Sequence, residues 1–354
     1  MNKILQTAIA SIASNIKKDA NKIEGATLLV TGGAGFLCSY FLDVVNYLNE
    51  NQFDAPCKVI TLDNFITGKN DNIAHLMDNE NFQFVTQDIS KQFKLKDNID
   101  YVIHGASIAS PITYRKYPLE TIDVNVAGTR NLLELAKEKN VKSFLYLGTS
   151  EVYGDPFPQF IPTPETYLGN VSCTGPRACY DESKRLAETL CMIYREKFNV
   201  PVKITRTFNA YGPRLSINDK RVIPDFAKDS LDGKQIVMYS DGTPTRSFCY
   251  VSDNISAQFS VLLSDFNGEV FNVGNNEQEI SMRDLAEKIR KIAGNPNAIK
   301  FAKNEDKAYT TDNPQRRCPN IDKIKKMIGW TPKVSLDSGL TQTINWYKEN
   351  YYGD

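Results

Sequence analysis

Between Thr27 and Thr207 the chain alternates short apolar runs with longer stretches of helical periodicity, and this alternation constrains the fold more than any other feature. The runs Thr27–Thr31, Lys58–Leu62, Phe82–Thr86, Tyr101–His104, Ser143–Gly148 and Val202–Thr207 read as strands. They lack the regular polar alternation of a half-exposed strand. Both faces must therefore be covered, as in a parallel sheet sandwiched between helices. Phe36–Glu50, Thr121–Lys139 and Tyr180–Phe198 supply helices of suitable length. After about residue 210 the rhythm breaks into shorter elements punctuated by Gly and Pro. Helices are expected there over Ser281–Ile292, capped by Ser281, and Leu336–Asn350. The expected organisation is α/β. A helical extension (1–24) precedes a doubly wound parallel-sheet domain (25–210) and a smaller C-terminal α/β lobe (211–354), with interleaved boundaries.

Charge narrows the choice of partners. The 354 residues carry 42 Lys+Arg against 42 Asp+Glu, a formal net charge of zero. That balance argues against a nucleic-acid surface or an anionic-membrane footprint, both of which need excess basic charge. No apolar run approaches the roughly 20 residues that span a bilayer. The seven cysteines form no Cys-x-x-Cys pair, and the only histidines are His75 and His104, so neither a metal site nor a disulfide framework is expected. A reducing, cytoplasmic location follows. Ile4 to Ile23 has helical apolar spacing but no uninterrupted apolar segment or cleavage site of a signal peptide; it reads as an amphipathic helix packed on the body or on a partner subunit.

The first strand runs into Thr31-Gly32-Gly33-Ala34-Gly35-Phe36-Leu37-Cys38. A glycine-rich turn alone is a weak signal. Its position is not: strand before, helix after, and the acid Asp63 at the end of the next strand. Gly32 permits the tight turn and Gly35 lets backbone amides approach a pyrophosphate at the positive end of the helix. Asp63 would accept hydrogen bonds from both ribose hydroxyls and repel a 2′-phosphate, favouring NAD over NADP. Cys38 stands where a third glycine is usual; it is small and tolerates burial. Asp88 either contacts adenine or begins a turn. His104 reads as a hydrogen-bonded imidazole at a strand end rather than a catalytic group, while Gly105 and Ala106 leave room beside a cofactor.

Tyr180 and Lys184 stand one helical turn apart on one face, and of the 17 tyrosines only Tyr180 has Lys four residues later. A nearby ammonium is expected to bring the phenol down from about 10 towards neutrality, as a general base requires. Thr149, at the end of the fifth expected strand, is positioned to hydrogen-bond Tyr180 and a substrate hydroxyl. Two residues on, Glu151 is either a proton handler facing the substrate or a solvated loop acid.

These features, with Thr149-Ser150-Glu151-Val152-Tyr153-Gly154-Asp155-Pro156, resemble the extended short-chain dehydrogenase/reductase superfamily, and within it the UDP-glucuronate decarboxylases (UDP-xylose synthases). Further matching stretches are Asp63-Asn64-Phe65-Ile66-Thr67-Gly68, Gly175-Pro176-Arg177-Ala178-Cys179-Tyr180-Asp181-Glu182, Thr207-Phe208-Asn209-Ala210-Tyr211-Gly212-Pro213-Arg214, Thr245-Arg246-Ser247-Phe248-Cys249-Tyr250-Val251-Ser252-Asp253 and Pro314-Gln315-Arg316-Arg317, so the resemblance covers about residues 25 to 350. It implies a Rossmann-like fold with a substrate-binding C-terminal lobe, and an NAD used and regenerated in each turnover. Cofactor contacts would come from Gly32, Gly35, Phe36, Leu37, Asp63, Asn64, Asp88, Ile89, Ala106, Tyr180 and Lys184. The implied catalytic set is Tyr180, Lys184, Thr149, Glu151 and Ser150, with Glu151 orienting the sugar or managing protons. A nucleotide sugar, a UDP-sugar in the first place, would be bound by Ser107, Asn209, Arg221, Arg246 and Arg316, with Arg316 and Arg317 otherwise a surface pair. A homodimer formed through helices 121–139 and 180–198 is also implied.

A transient 4-keto sugar can be decarboxylated, dehydrated or epimerised. Ser150 stands where 4,6-dehydratases usually carry aspartate, and Glu151 where 4-epimerases usually have a small residue. Ile108 replaces a proline usual in decarboxylases, and Arg221-Val222-Ile223-Pro224 resembles epimerases and dehydratases at least as well. A dehydratase or epimerase in surface-polysaccharide synthesis therefore stays open. So does a non-catalytic NAD-binding scaffold, against which the retention of Thr149, Tyr180 and Lys184 together speaks.

Overall fold

In the computed structural model, which describes residues 2–302, 311 and 314–352, all six expected strands join one sheet. They are β1 (Thr27–Thr31), β2 (Lys58–Asp63), β3 (Phe82–Thr86), β4 (Tyr101–His104), β5 (Ser143–Thr149) and β6 (Val202–Thr207). A seventh strand, Val270–Val273, pairs with β6 at the edge. The sheet order is 270–273, β6, β5, β4, β1, β2, β3, and every neighbouring pair is parallel. This Rossmann-like order reverses between β1 and β4, so their carboxyl ends open a crevice there.

Alternation along the strands divides the core into two layers, because successive side chains leave a strand on opposite faces. Leu28, Val30, Ile103 and Leu145 point to one layer; Leu29, Val102, Phe144 and Tyr146 point to the other. The first layer is completed by α2 (Cys38–Asn51) and by a helix over Val251–Leu262, with Phe41 and Phe259 ring centroids 4.8 Å apart. Helix α1 (Lys3–Ala20) adds its stripe of Leu5, Ala8, Ile9, Ile12 and Ile16 to this layer, resting on α2 and on the 251–262 helix. The N-terminal extension thus packs on the body of the protein.

The opposite layer differs in one respect from the single expected helix over Thr121–Lys139. After α3 (Pro111–Lys116), the chain forms α4 (Pro118–Asp123), a wide π turn at Val124–Gly128, and then α5 (Thr129–Lys139). Gly128 lies against Ile89, where a Cβ would come within 2.9 Å. The wide turn carries buried Asn125 to hydrogen bonds with Ser107 Oγ (2.8 Å) and Ser183 Oγ (2.9 Å). Ser183 belongs to α6 (Ala178–Phe198), which completes this layer.

Past β6 the chain leaves and re-enters the sheet. It forms β7 (Ala210–Tyr211), α7 (Val222–Leu231), β8 (Val237–Met238), β9 (Thr245–Arg246) and β10 (Cys249–Tyr250), then α8, the 251–262 helix, and β11, the 270–273 edge strand. β12 (Ile280–Ser281), α9 (Met282–Ala293), β13 (Lys300–Phe301) and β14 (Arg316–Arg317) follow, with a last helix over Leu336–Tyr351. Ser281 Oγ accepts from Asp284 N at 3.1 Å, the expected cap of α9. β9 lies between β12 and β14, which carries residues 245–246 and 316–317 together beside the carboxyl end of β5. Among the described residues no helix is long and apolar enough to cross a membrane.

Candidate active site

The turn after β1 is shaped by close backbone approach. Gly32 has φ +76°, and a Cβ there would sit 2.9 Å from the backbone of Ala106. Gly32, Gly35, Phe36, Leu37, Asp63, Asn64, Asp88, Ile89 and Ala106 all line one cavity of roughly 470 Å³. Asp63 accepts from Ala34 N (3.0 Å) and Phe65 N (2.8 Å), which leaves lone pairs for further donors. Burial raises its pKa against those two hydrogen bonds. Asp88 lines the crevice and also begins a turn, accepting from Ser90 N (2.9 Å) and Ser90 Oγ (2.7 Å). A cradle without side chains at the start of α2, next to a buried carboxylate at the end of β2, fits a dinucleotide. His104 is structural: its two ring nitrogens are each 2.9 Å from a threonine hydroxyl, Thr31 and Thr129, and burial lowers its pKa to about 3.

A second cavity of roughly 370 Å³ adjoins the first, sharing Phe36, Leu37, Cys38, Gly105 and Ser107 as walls. Thr149, Ser150, Glu151, Tyr180 and Lys184 line it. The Tyr180 phenol hydrogen-bonds Thr149 and stacks on Tyr114 of α3, with centroids 5.1 Å apart and planes 7° from parallel. Lys184 Nζ donates to Leu147 O (3.0 Å) and lies 4.7 Å from the Tyr146 ring centroid. The expected lowering of the phenol by Lys184 is corrected here. Burial, which disfavours both charges, pushes the Tyr180 pKa up and lowers Lys184 to about 8.

Glu151 is not a solvated loop acid. Its carboxylate is clasped by Arg177 and Arg317, with Arg317 Nη2 at 2.8 Å from Oε2. Burial alone would raise its pKa, but the two guanidiniums overcome that and hold it well below the usual carboxylate range. Arg177 also reaches Asp181, with Nε 3.5 Å from Oδ2. Asn209, Ser107, Arg221 and Arg246 line the same cavity. Asn209 donates to Ser247 O (2.9 Å) and Arg221 pairs with Asp219. Arg246 donates to the carbonyls of Thr245 (2.8 Å) and Gln315 (3.3 Å); burial, then the like charge of Arg317, pushes it down to about 9, still protonated at neutral pH.

The profile of the NAD dependent epimerase/dehydratase family matches residues 28–274, the span from β1 to just past β11. The chain belongs to this family. Its cofactor is NAD. A UDP-glucuronic acid decarboxylase of Arabidopsis thaliana is 41% identical over 334 residues, 94% of this chain and 71% of that protein. One from Xenopus tropicalis is 39% identical, over 91% of this chain and 72% of that protein. Among solved structures, the UDP-glucuronic acid 4-epimerase of Bacillus cereus, in complex with UDP-glucuronic acid and NAD, superposes with a TM-score of 0.77 at 29% identity. The match covers 92% of this chain and 100% of that one.

Within this epimerase/dehydratase site one expected residue is displaced by its neighbour. Arg316 is exposed, pairs with Glu279 (Nε to Oε1 2.7 Å) and is absent from both cavity walls. Arg317 is 4% exposed and lines the second. The cause is strand alternation in β14, which turns adjacent side chains to opposite faces. Sequence alone gives Arg177 and Tyr114 no role, and it gives Arg317 only a place in a surface pair, which its burial corrects. Arg177 did carry a signal: a cation at the N-terminus of a helix is electrostatically misplaced unless anions hold it, as Glu151 and Asp181 do. Cys38 also acquires a reason. A Cβ on Gly105 would collide with its sulfur, so the small residue usual in the third position of the turn has an equivalent across the contact. Gly105→Ala is therefore expected to weaken NAD binding about tenfold or more and to destabilise the protein by roughly 1–3 kcal/mol. NAD titration and denaturant unfolding check this; adding Cys38→Gly should recover most of both losses.

Proposed function

We propose that the chain converts UDP-glucuronate to UDP-xylose and carbon dioxide. The observation that carries this reading is the wall beside Tyr180, where three guanidiniums, Arg177, Arg246 and Arg317, line the second cavity with Glu151 clasped between two of them. Guanidiniums lining a pocket are the donors a sugar carboxylate calls for, and a neutral hexose has no use for so many of them. Relatives named as UDP-glucuronic acid decarboxylases support the same reading.

In this scheme Thr149 and Tyr180 hold the sugar C4 hydroxyl, and Tyr180 in its ionised form accepts the hydroxyl proton and becomes a neutral phenol; Lys184, one helical turn on, favours that ionised form. Bound NAD supplies the chemistry of taking the C4 hydride and later returning it. With C4 a ketone, the C5 carboxylate is β to a carbonyl. The C5–C6 bond breaks, carbon dioxide leaves, and the electron pair enters an enolate. C5 then takes a proton, so the overall reaction consumes one. Glu151, ionised and clamped, orients the sugar and the guanidiniums rather than donating a proton. Ser150 in place of the dehydratase aspartate supports decarboxylation over loss of water.

The test is direct. Purified protein is incubated with UDP-glucuronate, UDP-glucose and dTDP-glucose, and the products are weighed by mass spectrometry. Loss of carbon dioxide from UDP-glucuronate supports the reading. Loss of water from a neutral sugar nucleotide, or an isomer of unchanged mass, replaces it with dehydration or epimerisation.

The assembly belongs to the same proposal. Leu119 in α4 (71% exposed), with Leu186 (47%) and Ile193 (39%) in α6, leaves apolar surface that a second copy would cover in a homodimer. Leu186→Glu with Ile193→Glu should leave particles of 39.9 kDa in sedimentation where the unaltered protein runs at twice that mass. Seven free cysteines are in keeping with a cytoplasmic enzyme.

A further inference from the structure

Asp181 stands behind the cationic wall rather than in it. It is 4% exposed and does not line the second cavity; it touches the wall through Arg177, whose Nε lies 3.5 Å from its Oδ2. The same guanidinium grips Glu151 through Nη2. Asp181 Oδ1, Arg177 Nε and Arg317 Nε are all buried without a hydrogen-bond partner, so the cluster is incompletely satisfied as it stands. Arg177 is shared between two carboxylates, Glu151 and Asp181, while Arg317 grips Glu151 alone of the two.

We propose that Asp181 is a positioning residue whose uptake of a proton is coupled to binding of the substrate carboxylate by the guanidiniums it shares with Glu151. This rests on the reading that the substrate is a glucuronate. The groups facing Asp181 are Glu151 from the turn after β5, Arg317 from β14, Tyr114 from α3, Arg177 at the N-cap of its own helix, and Cys179 and Tyr180 on that helix. Burial and then the like charge of Glu151 raise its pKa, against the pull of Arg177 and Arg317. A sugar carboxylate at the same guanidiniums adds a further like charge and raises it again, so binding draws a proton onto Asp181. By linkage the reverse holds: protonated Asp181 leaves the wall more positive and the substrate carboxylate better held. Affinity for a carboxylate substrate therefore rises as pH falls through the Asp181 titration, and affinity for the carboxylate-free product does not. The reaction itself requires one proton per carbon dioxide released, so a site that gathers a proton as substrate arrives suits it.

The test uses full-length, NAD-loaded protein in a Tyr180→Phe background, so that substrate is bound and not consumed. UDP-glucuronate and UDP-xylose are titrated calorimetrically near neutral pH in two buffers of different protonation enthalpy. The expected result is net proton uptake with UDP-glucuronate and none with UDP-xylose. Adding Asp181→Asn should abolish the uptake and, on the alkaline side, tighten UDP-glucuronate binding about tenfold, the equivalent of one pKa unit. Uptake that survives Asp181→Asn, or that is equal for both ligands, overturns the proposal. If the asparagine variant does not fold, Asp181→Glu must still take up the proton but with a displaced midpoint; an unchanged midpoint overturns it equally. Failure of the functional reading looks different: the unaltered enzyme releases no carbon dioxide, and UDP-glucuronate binds no better than UDP-xylose at any pH.

Discussion

Tyr180→Phe is expected to lower the turnover of UDP-glucuronate by about a thousandfold while leaving the fold and NAD binding nearly intact. The substitution removes one oxygen. The ring keeps its stack on Tyr114 and its volume in the pocket, so no cavity opens. What disappears is the group that accepts the C4 hydroxyl proton; general-base assistance of this kind contributes roughly 10²–10⁴-fold. Thr149 loses a hydrogen-bond partner, at a cost of about 1 kcal/mol. Because burial raises the phenol, the rate of the unaltered enzyme should still be climbing on the alkaline side of neutrality, and the phenylalanine variant should lack that limb. Carbon dioxide release across pH, with a denaturant unfolding curve as control, checks the prediction. A variant within about tenfold of the parent would remove Tyr180 from the base role and would reopen the scaffold reading.

Which parts of this site were legible depends on how local their physics is. β1, β3, β4 and β6 have the expected bounds because a doubly buried parallel strand writes itself as an apolar run, and the Tyr180–Lys184 pair is legible because a helical turn is fixed geometry. β11 was missed: four residues at a sheet edge, after the broken rhythm that begins near 210, carry no run long enough to read, and the partner that makes them a strand is β6, distant in sequence. The choice between Arg316 and Arg317 turned on the phase of a two-residue strand, which composition does not encode. What surrounds Glu151 is less legible, because the two guanidiniums that hold it come from the N-cap of α6 and from β14 and meet it only in the folded chain. The same distance in sequence concealed why Cys38 is tolerated. Its reason is Gly105, at the end of β4.

Glu151→Gln tests that clasp. The amide keeps the shape of the side chain but deletes the charge that neutralises Arg177 and Arg317, so two buried guanidiniums lose their main counter-ion. Removing one partner of a buried ion pair costs about 3–5 kcal/mol. The lower end is expected here, because Asp181 remains against Arg177 and, freed of the like charge of Glu151, ionises more readily. The pH dependence follows from the depressed folded pKa. Glu151 contributes its full stabilisation above its unfolded value of about 4.3, and that contribution is lost as pH falls through the lower folded value. The stability gap between parent and variant, measured by denaturant unfolding, should therefore be constant near neutrality and close in acid. Activity should separate from binding. The variant's wall is more positive by up to one charge, less whatever Asp181 restores by ionising, so KM for UDP-glucuronate should stay level or fall, while kcat drops about a hundredfold as the sugar and guanidiniums lose their fixed orientation. A raised KM with unchanged kcat would instead mean that Glu151 only grips the ground-state substrate, and the clasp would then have no part in the chemical step.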